Sequence, residues 1–302
     1  MFFTCLFADD TEFLKSSNNL ETLFQKANHE LSKASCWFQA NKLTLNVSKT
    51  KYIVFRNKSM PFDDQGYNLK IGNEIIERIG STCKDKYFKF VGVKFDEFLN
   101  WNYQILMVFV PKLSSAIFAL KNDKKTLPLH IRKIVYESLI KSQLEYGILA
   151  WGSSTNNKIG KLFKLQKKAI RTLSDKGYSQ HTDPLFSKLG MLKLSHIHKH
   201  NASTFMYKYI KEKLPSSFNG MFAPFVEPNR TQSFKLELIR NKYLKPFPKI
   251  FLTRIWNSVP MNIKCSLSVL SFKTNMKIYL ASRYKKFKCK NRNCYSCNLK
   301  IL

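Results

Sequence analysis

Apolar and polar positions follow one rhythm before Trp101 and another after it. Phe2 to Phe7 forms a short apolar run, Ala8-Asp9-Asp10 interrupts it, and Thr11 to Leu14 resumes it, which predicts a hairpin over residues 1–14. Leu20, Leu23, Phe24, Ala27, Leu31, Ala34 and Phe38 then recur at three- and four-residue spacing, a helix that Asn18 or Asn19 can cap. "KLTLNVSKTKYIVF" (42–55) reads as two strands around a polar turn. "LKIGNEIIE" (69–77) reads as a hairpin turning at Gly72-Asn73, and "YFKFVGVKF" (87–95) as a strand. Beyond Trp101 the spacing predicts helices near 101–121, 128–151, 156–174 and 194–213. A mostly irregular stretch richer in Pro and Asn, 214–248, follows, and "IFLTRIWNSVP" and "SFKTNMKIYLASRY" close the chain as helices. There is no internal repeat. The expected fold class is α+β: a small sheet region first, then a mainly helical region.

Charge sharpens this picture. Lys and Arg number 51 against 20 Asp and Glu in 302 residues, a net +31. Such an excess repels itself unless a polyanion neutralises it, and nucleic acid is the first candidate. The basic residues run along the whole chain with aromatics between them, which suits a groove tracking a phosphate backbone more than a single membrane anchor. Met1 to Phe7 lacks the basic start of a signal peptide, and Asp9 and Asp10 end its apolar run early. No segment reads as the roughly 18 apolar residues of a membrane span. The expectation is an intracellular protein of the nucleus or of cytoplasmic ribonucleoprotein, with no membrane partner and not secreted. Seven cysteines, an odd number, fit reduced thiols.

The chemistry concentrates in "CLFADDTEFL" (5–14). Two adjacent carboxylates at a tight turn repel each other unless a cation joins them. Mg²⁺ takes oxygen ligands and keeps exchangeable waters, and paired ions can serve phosphoryl transfer. "FADD" between apolar strands, followed by a helix, by "NKLTLNVSKTKYIVF" and by "FKFVGV", resembles the reverse transcriptase palm of non-LTR retrotransposons, most nearly the jockey-type elements. The resemblance implies RNA-directed DNA polymerization with Mg²⁺ on an RNA template and a DNA primer. It implies Asp9 and Asp10 as metal ligands and catalytic residues. It also implies Lys49 (with Lys51 nearby) in pyrophosphate departure, and Phe88, Lys89, Phe90, Val91 and Gly92 as the primer grip. "SLIKSQLEYGILAWGSS" (138–154), "LFKLQKKAIRTL" (162–173) and "RIWNSVPMNIKCSLSVLSFKTNMKIYL" (254–280) extend the likeness in the family's order.

In that family the fingers and another metal-ligating palm Asp precede this hairpin, and they do not fit in eight residues. The expectation is therefore a C-terminal fragment, a truncated element copy or an incomplete gene model, inactive as a polymerase until an upstream half joins it. The alternative is a non-catalytic nucleic-acid-binding module, or a remnant of an element without function. The expected domains are a truncated palm (1–97), a helical thumb-like region (98–175) and a basic C-terminal region (176–302).

Other residues carry weaker signals. Lys161, Lys164, Lys167, Lys168 and Arg171 in "KLFKLQKKAIR" can fan along one side of a helix and meet a template-primer backbone. Arg283, Lys285, Lys286 and Lys288, with Tyr284 and Phe287, form a second basic cluster. Cys289, Cys294 and Cys297 include one zinc-like spacing but lack a fourth neighbour, so Zn²⁺ is the lesser reading. "SHIHKH" offers His196, His198 and His200, read as a basic, partly exposed helix start. Trp37, Trp101, Trp151 and Trp256 read as core. No Gly-x-Ser-x-Gly and no glycine-rich phosphate loop occurs.

Overall fold

The computed structural model describes residues 2–8, 10–60, 62, 66–122, 126–222, 224–227, 230–234 and 248–285, with 224–227, 230–234 and 285 by their backbone alone. The chain is of mixed α+β class and divides into two compact units, Met1–Gln104 and Ile105–Leu302.

In the first unit, β1 (Phe3–Phe7) and β2 (Asp10–Leu14) pair antiparallel with Phe7 opposite Asp10. Asp10 therefore belongs to the return strand, whereas the sequence pattern put it in the turn. Helix α1 (Leu20–Ala40) follows, capped by Asn19, whose side chain accepts the Thr22 N–H at 3.2 Å. Its Phe24, Ala27 and Leu31 are buried. Of the two strands expected in 42–55, only β3 (Lys51–Ile53) forms. The Asn46 side chain takes the Lys49 N–H at 3.1 Å and the Ser48 hydroxyl at 2.8 Å, so residues 46–50 make a local turn instead of a ladder.

β4 (Lys70–Ile71) and β5 (Glu74–Ile75) form the expected hairpin, with Gly72 at φ 60° in its turn. β6 (Glu77–Ile79) pairs parallel with β3. The stretch expected as one strand over 87–95 is a third hairpin, β7 (Phe88–Phe90) and β8 (Val93–Phe95), because Val91 and Gly92 both take positive φ, 42° and 77°. Among the described residues every sheet is a pair of strands.

An aromatic cluster and side-chain hydrogen bonds join α1 to β3 and β4, and a buried ion network forms beside β6. Phe24 of α1 meets Tyr67 at 5.2 Å and Tyr52 at 5.9 Å between ring centroids. Asn28 donates to the Asn68 carbonyl and accepts the Lys70 N–H, both at 2.9 Å, which ties α1 to β4. Glu97, 1% exposed, accepts the Ser81 N–H at 2.9 Å and Arg78 at 3.1 Å, with Arg56 3.6 Å away. Burial pushes this carboxyl upward, but the Ser81 hydrogen bonds and the two guanidiniums outweigh it and hold it below the usual range.

The second unit is helical. A π-helical turn, Tyr103–Phe109, runs into α2 (Val110–Asn122). α3 (Leu129–Tyr136) continues through a π turn, Glu137–Lys141, into α4 (Ser142–Glu145). Gly147, at φ 63°, breaks the run before α5 (Ile148–Trp151). Then come α6 (Asn156–Leu173), α7 (Asp183–Leu189) and α8 (Leu194–Ile210). The hairpin β9 (Pro224–Glu227) and β10 (Arg230–Phe234) lies within the stretch expected to be mostly irregular. α9 (Pro248–Asn257), α10 (Met261–Lys264) and α11 (Val269–Ser282) complete the unit.

Ile105, Phe109, Leu113, Ile117 and Leu120 are all at most 1% exposed and form the buried stripe of the helix that packs on α6. That helix, Tyr103–Asn122, is long and apolar enough to span a membrane by length and composition alone. The reading that no segment reaches such a length is corrected accordingly. The spread of Lys112 and Lys121 along the segment hides the run from a search for unbroken apolar residues.

α8 is packed by α4, α5, α6, α9 and α11. Its Tyr207 stacks on Phe272 at 4.4 Å and donates its hydroxyl to the Ser266 carbonyl. Trp151 and Trp256 are fully buried as expected, whereas Trp37 is 58% exposed and Trp101, at φ 64°, lies edge-on to Phe95 at 5.3 Å.

Candidate nucleic-acid interface

Helix α6 sorts its side chains cleanly. Ile159, Leu162, Phe163, Gln166, Ala169, Ile170 and Leu173 are buried. Lys161, Lys164 and Lys168 are exposed and Arg171 half-buried, at successive spacings that keep them on one helical stripe. The span from Lys161 to Arg171 is about 15 Å. No Asp or Glu occurs in α6, so no carboxylate of the same helix neutralises the stripe. Lys167, expected among these cations, is instead 8% exposed, and its ammonium sits 4.7 Å from the centre of the Phe163 ring. A step of one residue turns a helical side chain by about 100°, which carries Lys167 away from Lys168 and onto the packed side. Four of the five predicted cations therefore share a face.

The N-terminal hairpin is the second locus. Its strands leave only positions 8 and 9 between them, and Ala8 takes φ 51°. A non-glycine residue there is uncommon, and such backbone tends to occur at functional sites. Asp9 lies outside the described residues. Asp10 is exposed, and Glu12, two positions on, shares its side of the strand. Partial burial and the charge of Asp10 push the Glu12 carboxyl upward. Glu12 was not among the sequence-predicted residues, and its signal is the two-residue spacing from Asp10. Such a set of mutually repelling carboxylates fits a hard divalent cation such as Mg²⁺. Among the described residues no three His, Cys, Asp or Glu side chains come together to hold a metal. Around the acids the hairpin exposes apolar surface, with Leu6 at 74%, Phe3 at 56% and Phe7 at 55%.

Lys49 is exposed in the Asn46 turn. Lys51 is engaged by Asp85 and by Glu77, the latter at 2.9 Å, and those carboxylates raise its pKa. Of the two lysines, Lys49 is the one left facing solvent. The residues expected as a primer grip span a strand and its tip. Phe88 stacks on Phe95 at 5.2 Å, Lys89 is exposed opposite Lys94, Phe90 is half-buried, and Val91 and Gly92 form the exposed turn.

The "SHIHKH" segment is buried rather than partly exposed. His196 is 2% exposed, and His198 and Lys199 are fully buried at the start of α8. His196 stacks on Tyr284 at 5.0 Å and His198 on Phe251 at 4.0 Å. Desolvation lowers all three: His196 well below its ordinary value, His198 to about 3 and Lys199 to about 7, with neighbouring cations adding to each. His200 bonds the Lys273 carbonyl at 3.0 Å. The alternation of His with Ile and Lys mimics a polar helix start, but α8 is enclosed on nearly every side.

In the C-terminal basic cluster, Tyr284 is buried and its hydroxyl accepts the Lys193 N–H at 2.9 Å. Arg283 lies 4.7 Å from the Tyr279 ring centre. Lys286, Phe287, Lys288 and the zinc candidates Cys289, Cys294 and Cys297 lie outside the described residues. No protein-family model, curated protein or solved structure matches the chain.

Proposed function

We propose that this chain binds nucleic acid through its helical unit, as part of an RNA-directed DNA polymerase of the non-LTR retrotransposon type. The observation that carries the binding reading is the stripe of Lys161, Lys164, Lys168 and Arg171 on α6. Four like charges in a row weaken a helix, since neighbours at this spacing repel. A phosphate backbone turns that repulsion into affinity by releasing its counterions.

The polymerase reading rests on the resemblance of "FADD", "LNVSKTK" and "FKFVGV" to palm motifs. The left-handed Ala8, the paired carboxylates Asp10 and Glu12 and the solvent-facing Lys49 support it. Asp9 and Asp10 would hold Mg²⁺, which when bound polarises phosphoryl oxygens and eases attack by a primer hydroxyl. Lys49 would donate a proton to the departing pyrophosphate or offset its negative charge. Phe88, Lys89, Phe90, Val91 and Gly92 would steady the primer end, with Lys89 facing a phosphate.

Binding is tested by fluorescence anisotropy with labelled RNA or DNA. Lys164→Glu/Lys168→Glu is expected to abolish it, while Asp10→Asn leaves it intact. Polymerization is tested with the family's fingers and upstream palm supplied in trans. Primer extension that appears on mixing and vanishes with Asp10→Asn supports the reading. Undiminished extension by Asp10→Asn contradicts it.

A further inference from the structure

The loop that follows α6 is built to hold one aromatic ring in solvent. Tyr178 is 88% exposed, far beyond what a tyrosine of a packed unit commonly shows. The backbone around it is pinned. Asp175, at φ 54°, receives both guanidinium arms of Arg132, at 2.9 and 3.1 Å. Arg132 is itself 6% exposed on α3. The Lys176 N–H returns to the Arg171 carbonyl at 3.0 Å, and the Gln180 N–H to Gly177 at 3.2 Å. Arg171 closes the loop from the other end, its Nε donating to the Gln180 carbonyl at 2.8 Å. This places the Arg171 guanidinium 5.5 Å from the centre of the Tyr178 ring.

We infer that Tyr178 and Arg171 form a stacking platform for an unpaired base, so that the helical unit prefers single-stranded nucleic acid to duplex. The inference rests on the proposed binding role of α6 and names the form of nucleic acid that role selects. The charges agree with it: Lys164 and Lys168 precede Arg171 on the stripe, Lys176 follows, and the loop's carboxylate is engaged by Arg132. A strand whose phosphates track that stripe brings its bases to the loop. An exposed aromatic plane beside a guanidinium accepts a base face of any identity. Paired bases inside a duplex are already stacked and cannot reach it.

The test compares the full chain with Tyr178→Ala and Tyr178→Phe. The probes are a labelled single strand, as RNA and as DNA, and the duplex of the same sequence, at one salt concentration. Because the ring is exposed, neither substitution disturbs packing. Tyr178→Ala is expected to weaken single-strand binding by about tenfold and leave duplex binding unchanged. Tyr178→Phe keeps the plane and is expected to keep the affinity. Equal losses on strand and duplex, or no loss on either, overturn the platform while the binding role of α6 stands. A wild-type chain that binds neither form overturns both. Equal effects with RNA and DNA mark recognition of the base face, and an effect confined to one marks a contact to the sugar as well.

Discussion

Gln166 offers a sharp prediction because its whole side chain is committed. It is fully buried in α6. Its amide nitrogen donates to the Tyr136 hydroxyl at 3.0 Å and to the Leu192 carbonyl at 2.9 Å, and its oxygen accepts the Leu194 N–H at 2.8 Å. That last bond satisfies one of the orphan donors at the start of α8, whose own N-cap residue, Lys193, supplies no side-chain bond. Gln166→Met keeps the volume and removes all three bonds. Each buried group left unpaired costs about 1–3 kcal/mol. Allowing for relaxation, the sum is about 3–5 kcal/mol, a large share of the roughly 5–15 kcal/mol that stabilises a domain.

Urea unfolding followed by far-UV circular dichroism reads the loss as a lower midpoint at unchanged slope. Adding Tyr136→Phe removes one stranded hydroxyl. The double variant should then be less destabilised than the sum of the singles by about 1 kcal/mol. A single-variant loss under about 1 kcal/mol would refute the reasoning, since three buried groups of this kind cannot be left unpaired at so small a penalty.

Three further outcomes follow from the same geometry. His198 has a folded pKa of about 3 against an ordinary 6.5, so the folded state binds fewer protons than the unfolded one. Its contribution is present in full above pH 6.5 and is lost as the pH falls toward 3, at up to about 1.4 kcal/mol per unit, read from urea midpoints measured at stepped pH. A midpoint unchanged between pH 7 and 5 contradicts the buried, neutral histidines. Gly152→Ala would put its Cβ 2.4 Å from the Ile148 carbonyl oxygen and 2.9 Å from the His198 ring, so a loss of about 1–3 kcal/mol in the same assay is expected. Asp10→Asn removes the like charge beside Glu12, and an NMR titration should find the Glu12 pKa moved down toward its ordinary value. No movement would separate the two carboxylates.

Local signals carried over into structure where a single element decides the outcome. Asn19 caps α1, Gly72 turns the β4–β5 hairpin, and the spacing of Leu162, Phe163, Ala169, Ile170 and Leu173 marks the packed side of α6. What stayed hidden depends on neighbours distant in sequence. The start of α8 is capped by Gln166 from another helix, which no reading of "KLSHIHKH" reveals. His198 is buried because Phe251 and Gly152 close around it. Lys167 and Lys168 differ only in the direction that one helical step gives them. The candidate site was legible as residue types and spacing: the acids of the hairpin, Lys49 and the α6 cations. Glu12 carried a signal in its two-residue spacing from Asp10, whereas Tyr178 entered only through its surroundings, a loop pinned by Arg132.

The most direct test of the account is the salt dependence of binding to a single-stranded oligonucleotide, for the wild-type chain and for Lys161→Gln/Lys164→Gln/Lys168→Gln/Arg171→Gln. Each phosphate neutralised contributes about 0.7 to the slope of log K against log salt on a single strand. Removing all four charges should make the slope shallower by about 2.8. An unchanged slope, whatever the change in affinity, would mean that α6 does not carry the phosphate backbone.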